Sequence, residues 1–229
     1  MNARFAAYYS PAIDDPLFRT GAIWLGRDPE TNTLLQQPDL PGMAEITADP
    51  ARYGFHATLK PPMQLAAGAT WFELEDAARR MVRDIPPFTL PPLQIADLHG
   101  FLALRETEPC PELQALADLC VTTLDPFRAP PSLEELARRR RGGLDAHEEN
   151  MLVRWGYPYV LESWFFHMTL THRLSPDEAE IYRPAAQAHF AGLLDRPRPV
   201  SNLCLFGQPP PQEGRQMPFT IALRIPLLG

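Results

Sequence analysis

The sequence has few cysteines and no metal-binding pattern. It contains 3 cysteines in 229 residues, Cys110, Cys120 and Cys204, and none of them forms a CxxC pair. An odd number of scattered cysteines rules out a fully paired disulfide framework and argues against a cysteine zinc site. We therefore expect a reducing compartment, the cytoplasm, and no cofactor or metal.

Long apolar runs are also missing. No stretch approaches the 18 apolar residues of a membrane span, and the opening segment MNARFAAYYSPAIDD has no apolar run of signal-peptide length. We expect no membrane partner.

Lysine is almost absent, and there is no excess of basic residues. The 21 basic residues include a single lysine, Lys60, and the formal net charge is −7. Binding to long nucleic acids depends on neutralising many phosphates, so long nucleic acid is not an expected partner. A small anionic phosphoester held by a few local arginines remains compatible with this charge.

The pattern of elements predicts an α+β fold. The predicted strands cover residues 4–9, 55–65, 88–97, 101–105, 164–172, 200–206 and 219–225. The predicted helices cover 16–25, 70–85, 111–124 and 175–194, and residues 28–50 read as a loop. Capping boxes at Thr70-Glu73 and Ser132-Glu135 support two helix starts. Residues 126–160 read as an inserted helical hairpin between halves at about 1–125 and 161–229.

The two halves share one order of elements. Each has a strand with His-x-Thr-Leu, a turn, a capped helix and then two strands. This weak internal repeat predicts a cleft on a pseudo-twofold axis, where equivalent residues meet.

The repeated motifs are His56-Ala57-Thr58-Leu59 and His167-Met168-Thr169-Leu170. Strand residues two apart share a face, so each His and Thr should face the cleft while the intervening residues face the core. By the same rule, Lys60 and Thr171 should reach the cleft and bind phosphate.

Paired histidines suit phosphodiester cleavage. Neutral imidazole can accept a proton from the nucleophile, imidazolium can protonate the leaving oxygen, and threonine hydroxyls can hold the non-bridging oxygens. Neither histidine can be assigned as acid or base from sequence. One His-x-Thr alone is commonly structural, but two copies in matched settings favour function, and a zinc site lacks any HExxH or nearby carboxylates.

These motifs resemble those of the two-histidine (2H) phosphoesterase superfamily, which includes RNA 2′,5′-ligase-like proteins and cyclic phosphodiesterases. Longer strings resemble its phosphonate-metabolism branch, a family of unknown function: RYGFHATLK at 52–60, DPFRAP at 125–130, WGYPY at 155–159 and FHMTLT at 166–171. The resemblance implies a bilobal fold with two antiparallel sheets around a central cleft. It also implies His56 and His167 as catalytic residues, with Thr58 and Thr169 beside them.

Other residues are weaker candidates. Tyr157 and Tyr159 are possible substrate contacts, as are Arg19 and Arg128. The basic run Arg138–Arg141 is either a solvated helix face or a lid over an anionic ligand. His172 should lie on the opposite strand face and be structural.

Three functions remain open on sequence alone. The first is hydrolysis of a small cyclic or linear phosphodiester. The second is RNA-end processing at 2′,3′-cyclic phosphates or 2′,5′ linkages. The third is a non-catalytic nucleotide or phosphate sensor, although binding alone does not require two titrating imidazoles. The sequence gives no oligomeric state.

Overall fold

The computed structural model describes residues 3–229, in which helices and strands are mixed. The strands are β1 Arg4–Tyr9, β2 Ala57–Met63, β3 Phe88–Leu90, β4 Leu93–Leu98, β5 Phe101–Glu106, β6 Met168–Arg173, β7 Arg198–Val200, β8 Asn202–Gln208 and β9 Thr220–Pro226. The α-helices are α1 Pro16–Leu25, α2 Met43–Tyr53, α3 Trp71–Val82, α4 Pro111–Leu124, α5 Leu133–Arg140, α6 Ala146–Trp155 and α7 Pro176–His189. This content confirms the predicted α+β class.

Seven strands form one antiparallel sheet in the order β4-β5-β6-β2-β1-β8-β9, while β3 and β7 pair in a second, small sheet. The motif strands β2 and β6 are central and are joined by one bridge, Ala57 to Met168. The large sheet therefore consists of two antiparallel halves, β4-β5-β6 and β2-β1-β8-β9, which meet at the two motifs.

The halves of the sheet are interleaved along the chain. β4 and β5 follow β2 in sequence but lie beside β6, and β8 and β9 follow β6 but lie beside β1. The expected order of elements after each motif is present. The chain halves at about 1–125 and 161–229, however, do not coincide with the halves of the sheet.

Capping side chains begin the predicted helices. Both halves of the capping box are formed at α3, α5 and α7, by Thr70, Ser132 and Ser175 with the glutamate three residues later. The inserted segment is helical, as predicted, with α5 and α6 separated by a short turn.

Several expected boundaries were wrong, among them the start of β6 at Met168 rather than 164 and the end of α3 at Val82 rather than 85. Residues 43–50, part of the expected loop at 28–50, belong to α2, which has no side-chain cap and contains Pro50, so the usual start signals are missing. The expected strand at 88–97 is split into β3 and β4 at Pro91-Pro92, because proline cannot donate to a ladder. α7 ends at His189 rather than near 194.

The intervening residues of both motifs face the main core. Ala57, Leu59, Met168 and Leu170 are each at most 1% exposed and belong to one hydrophobic cluster with residues of α1 to α4 and α7. The helices therefore cover one face of the motif strands. Within residues 3–229, no helix has the length and apolar character that a membrane crossing requires.

Candidate active site

The two His-x-Thr motifs lie side by side at the middle of the sheet. The bridge joins Ala57 to Met168, the residue between His and Thr in each motif. Antiparallel register then sets His56 next to Thr169 and Thr58 next to His167. The structure thus brings the four predicted residues together on the face opposite the core.

The His56 ring is positioned by residues close to it in the sequence and by the ring of Tyr8. Its Nδ1 lies 2.8 Å from the Gly54 carbonyl oxygen, and its Nε2 lies 3.3 Å from the Thr58 hydroxyl. The ring stacks on Tyr8, with centroids 3.9 Å apart. Gly54 has φ +82°, and a Cβ there would lie 2.6 Å from Pro29 Cβ, so this carbonyl position requires glycine.

His167 has the equivalent arrangement in the second motif. Its Nδ1 lies 3.2 Å from the Phe165 carbonyl oxygen, again two residues earlier in the chain. Its ring packs against Phe165, with centroids 4.9 Å apart, and more distantly against Phe101.

The repeated carbonyl contact fixes the tautomer. A carbonyl oxygen only accepts, so in each neutral imidazole the proton resides on Nδ1 and the lone pair on Nε2. In both rings Nε2 is therefore the nitrogen that remains free of a backbone contact.

Burial controls the charge of both rings. Desolvation lowers the pKa of His56 to about 4, against the raising effect of the Gly54 carbonyl, and the charge of His167 lowers it further. Burial also lowers the pKa of His167, as does the charge of Arg105. Both imidazoles are neutral at pH 7 in the free protein, and a bound anion would favour protonation.

Two tryptophan side chains donate hydrogen bonds to the backbone of the motif strands. Trp164 Nε1 donates to the Thr58 carbonyl at 2.7 Å, and Trp24 Nε1 donates to the Leu170 carbonyl at 3.0 Å. Each indole comes from a segment distant in sequence, so the motif backbones are tied across the fold.

Lys60 does not share the histidine face, contrary to expectation. The pairing of β1 with β2 is irregular at this point, because Tyr8 pairs with Thr58 while Ala7 pairs with Lys60. The bulge turns Lys60 toward α4. Its side chain is 2% exposed, and the ammonium donates to the Val121 carbonyl at 3.0 Å and lies 3.3 Å from Asp125.

Thr171 is likewise turned away from the cleft. The β5–β6 register shifts between the pairs Phe101–Arg173 and Ala103–Thr169. Thr171 is 1% exposed, and its hydroxyl accepts from Leu102 N–H at 3.0 Å and donates to the His172 carbonyl at 2.8 Å. A β-bulge after each motif explains both errors, because strict alternation no longer applies.

A cavity of about 840 Å³ opens on the first motif. Its wall includes His56, Thr58 and Thr169, and Arg138 and Arg139 from the inserted helix α5. His167 is not part of this wall and adjoins it through Thr58. The basic run therefore faces the cleft in part, while Arg140 pairs with Glu149 at 2.5 Å.

Of the remaining candidate substrate contacts, one lines the cavity and three do not. Tyr157 lines the cavity, with the guanidinium of Arg139 4.4 Å from its ring centroid. Tyr159 is 43% exposed and lies outside the wall, as does the exposed Arg19. Arg128 is also outside it, since it forms a two-pronged pair with Asp125 and donates to the Arg154 carbonyl.

Several wall residues were not singled out from sequence. They are Arg4, Tyr8, Arg52, Tyr53, Gln64 and Gln208. Arg52 and Tyr53 lie within the string that carries the family resemblance, which was the available signal. His172 lies outside the wall, 3.8 Å from Glu178. Within residues 3–229, no three His, Cys, Asp or Glu side chains are grouped to hold a metal ion.

Two curated relatives align with most of the chain. Both are named ribose 1,5-bisphosphate phosphokinase PhnN: one from Janthinobacterium sp. (strain Marseille) is 41% identical over 83% of this chain, and one from Laribacter hongkongensis (strain HLHK9) is 37% identical over 90%. The chain spans only 44% and 48% of their respective lengths.

Solved structures of similar shape include E. coli LigT. LigT complexed with 3′-AMP has a TM-score of 0.47 and 16% identity, and LigT complexed with phosphate has 0.48 and 13%, each covering 100% of both chains. A family profile described as protein of unknown function (DUF1045) matches residues 58–217. The chain therefore belongs to the DUF1045 family.

Proposed function

We propose that the chain is a phosphoesterase that hydrolyses a small cyclic or linear phosphodiester, with His56 and His167 as its acid–base pair and no metal ion. The observation that carries this proposal is the pairing of the two motifs at one bridge, with both Nδ1 atoms on backbone carbonyls. This arrangement gives two adjacent imidazoles the same tautomer.

In the proposed reaction, one neutral Nε2 takes the proton of the attacking water. The other imidazole, protonated when the anion binds, gives its proton to the leaving oxygen. Burial lowers the pKa of His56 to about 4 and also lowers that of His167, so both rings are neutral before the anion binds and either can act as the base.

The threonines would hold the phosphate between the rings. Thr58 and Thr169 lie beside the histidine of the opposite motif, and both line the cavity. In the free protein, the Thr58 hydroxyl is 3.3 Å from His56 Nε2. A bound phosphate oxygen would take over that hydroxyl and release the lone pair for catalysis.

We propose that this activity serves phosphonate metabolism. The support is the resemblance to the phosphonate-metabolism branch seen in the sequence, together with the PhnN name of both relatives. The kinase activity in that name belongs to proteins about twice as long, so we propose for this chain the phosphoester chemistry of its own cleft.

The test is a panel of 2′,3′-cyclic nucleotides, small cyclic sugar phosphates and 2′,5′-linked dinucleotides, assayed with and without a chelator. We expect turnover of small diesters that the chelator leaves unchanged. Loss of activity with chelator would contradict the metal-free mechanism. Turnover of RNA ends alone would favour end processing, and tight binding without turnover would favour a sensor.

Substitutions locate the chemistry. His56→Ala and His167→Ala should each lower kcat by about 10²–10⁴-fold through loss of proton transfer. His172→Ala, in the same strand as the second motif, is the matched control and should retain activity. An equal loss in all three variants would reject the assignment.

A further inference from the structure

The cavity beside the two motifs is unusually rich in arginine. Four arginines line it, namely Arg4, Arg52, Arg138 and Arg139. Of the described residues, Glu134 and Glu135 supply the carboxylates of this wall, and the Glu135 side chain is engaged in capping α5. In a chain of net charge −7, this wall is a local concentration of positive charge.

Two of these arginines rest on tyrosine rings close to the first motif. The Tyr53 ring lies 6.1 Å from the His56 ring, and the Arg52 guanidinium lies 5.5 Å from the centre of Tyr53. Arg139 lies 4.4 Å above Tyr157. The aromatic rings therefore hold the guanidinium groups in place without neutralising them.

These guanidinium groups retain unused donors. Arg52 donates to the exposed Asp49 carboxylate at 3.0 Å through Nη2, while its Nε is buried without a hydrogen-bond partner. Across residues 3–229, Arg4, Arg138 and Arg139 take part in no ion pair with a carboxylate, whereas the adjacent Arg140 does. Guanidinium donors that line one cavity and have no carboxylate partner favour an anionic ligand there.

We propose that Arg52, Arg138 and Arg139 form a second anion subsite, so that the substrate carries a phosphomonoester group besides the diester at the histidines. This inference rests on the proposed function for the position of the diester. A wall of four arginines exceeds what one phosphate diester needs, and a volume of about 840 Å³ accommodates a small ligand with two separated phosphates. The guanidinium fork suits a terminal phosphate, which offers three oxygens.

The experiment compares the binding of adenosine 3′-phosphate and adenosine 3′,5′-bisphosphate by calorimetry at fixed salt. Neither ligand is a phosphodiester, so the readout does not depend on hydrolysis. We expect the wild-type protein to bind the bisphosphate at least about tenfold more tightly, because charge-assisted hydrogen bonds are added. Equal affinities, or no binding of either ligand, would overturn the proposal.

Variants assign the preference to the subsite. The double variant Arg138→Gln/Arg139→Gln should bring the ratio of affinities close to one. Arg141→Gln, at the exposed end of α5 and outside the wall, should leave the ratio intact. A double variant that retains the full preference would overturn the assignment, and the wild-type comparison decides the proposal even if that variant folds poorly.

The two proposals fail in different ways. A strong preference for the bisphosphate in a protein that hydrolyses no diester would retain the subsite and reject the two-histidine chemistry. Hydrolysis of diesters without any preference for a second phosphate would reject the subsite alone.

Discussion

Burial of the His56 ring links the site to the stability of the fold. The ring stacks on Tyr8, lies near Tyr53 and has a pKa of about 4, while an unfolded histidine titrates near 6.5. Between these values the unfolded chain binds a proton that the folded chain does not. The folded state therefore loses stability as the pH falls from about 6.5 to 4, and His56 has no such effect above 6.5.

We expect His56→Gln to reduce this acid sensitivity. The wild-type free energy of unfolding should fall by up to about 3 kcal/mol more than that of the variant between pH 7.5 and 4. Urea unfolding at both pH values measures the difference. The exposed His147→Gln should behave like wild type, and parallel losses in wild type and His56→Gln would contradict the assignment.

Lys60 illustrates where alternation along a strand stops being informative. Side chains of His56 and Thr58 follow the period of two, but the bulge after Thr58 moves Lys60 to the core side. Nothing in the local composition marks that bulge, since it depends on how β1 and β2 pair. The histidine positions were therefore predictable from sequence, while the neighbouring phosphate contacts were not.

We expect the Lys60–Asp125 pair to be structural. Asp125→Ala leaves a buried ammonium without its partner and should lower the free energy of unfolding by about 3 kcal/mol. Lys60→Met keeps the volume and should cost less, with turnover retained. Thermal unfolding and kinetics check both variants. Loss of turnover in a stable Lys60→Met protein would show that the ammonium acts on substrate.

At the scale of elements, the helices that begin with a capping box were predicted from sequence, and the uncapped helix α2 was not. α3, α5 and α7 each begin with a side chain and glutamate that satisfy the first backbone amides, and all three were predicted. α2 begins at Met43, after Gly42, without such a cap and still forms, because Met43 and Ile46 are buried in the core. Tertiary packing, which one sequence does not display, decides that helix.

Helix α5 differs from the other capped helices because none of its residues is buried. Its stability depends on local interactions, so Ser132→Ala should loosen this helix without lowering the global melting temperature. Amide hydrogen exchange should accelerate in residues 133–140 alone.

The matched change in a core helix is Thr70→Ala. α3 buries Leu74 and Ala78, so loss of its cap should lower the free energy of unfolding of the whole protein by about 1 kcal/mol. A large fall in melting temperature for Ser132→Ala would contradict the view of α5 as a separable wall of the cavity.

At the scale of the whole molecule, the two halves of the sheet do not correspond to the two halves of the chain. The half-sheet around β6 takes β4 and β5 from the first part of the chain, and the half-sheet around β2 takes β8 and β9 from the last. The internal repeat is visible in sequence, but the exchange of strands between its copies depends on long-range pairing. Sequence order alone does not determine it.

We expect fragments 1–125 and 126–229 to be unfolded separately and to recover structure when mixed. Each fragment lacks strands that its sheet half requires. Circular dichroism and binding of a phosphate ligand before and after mixing provide the measurement. A fragment that folds cooperatively by itself would contradict the interleaved arrangement.

The small sheet of β3 and β7 restricts how the molecule can move. Each of these strands belongs to one of the two connections that cross between the sheet halves, and the two connections are hydrogen-bonded to each other at Phe88–Val200 and Leu90–Arg198. A hinge rotation about the central bridge would have to break this tie. The two sheet halves, and with them the two histidines, should therefore keep a constant separation while a ligand enters or leaves the cavity.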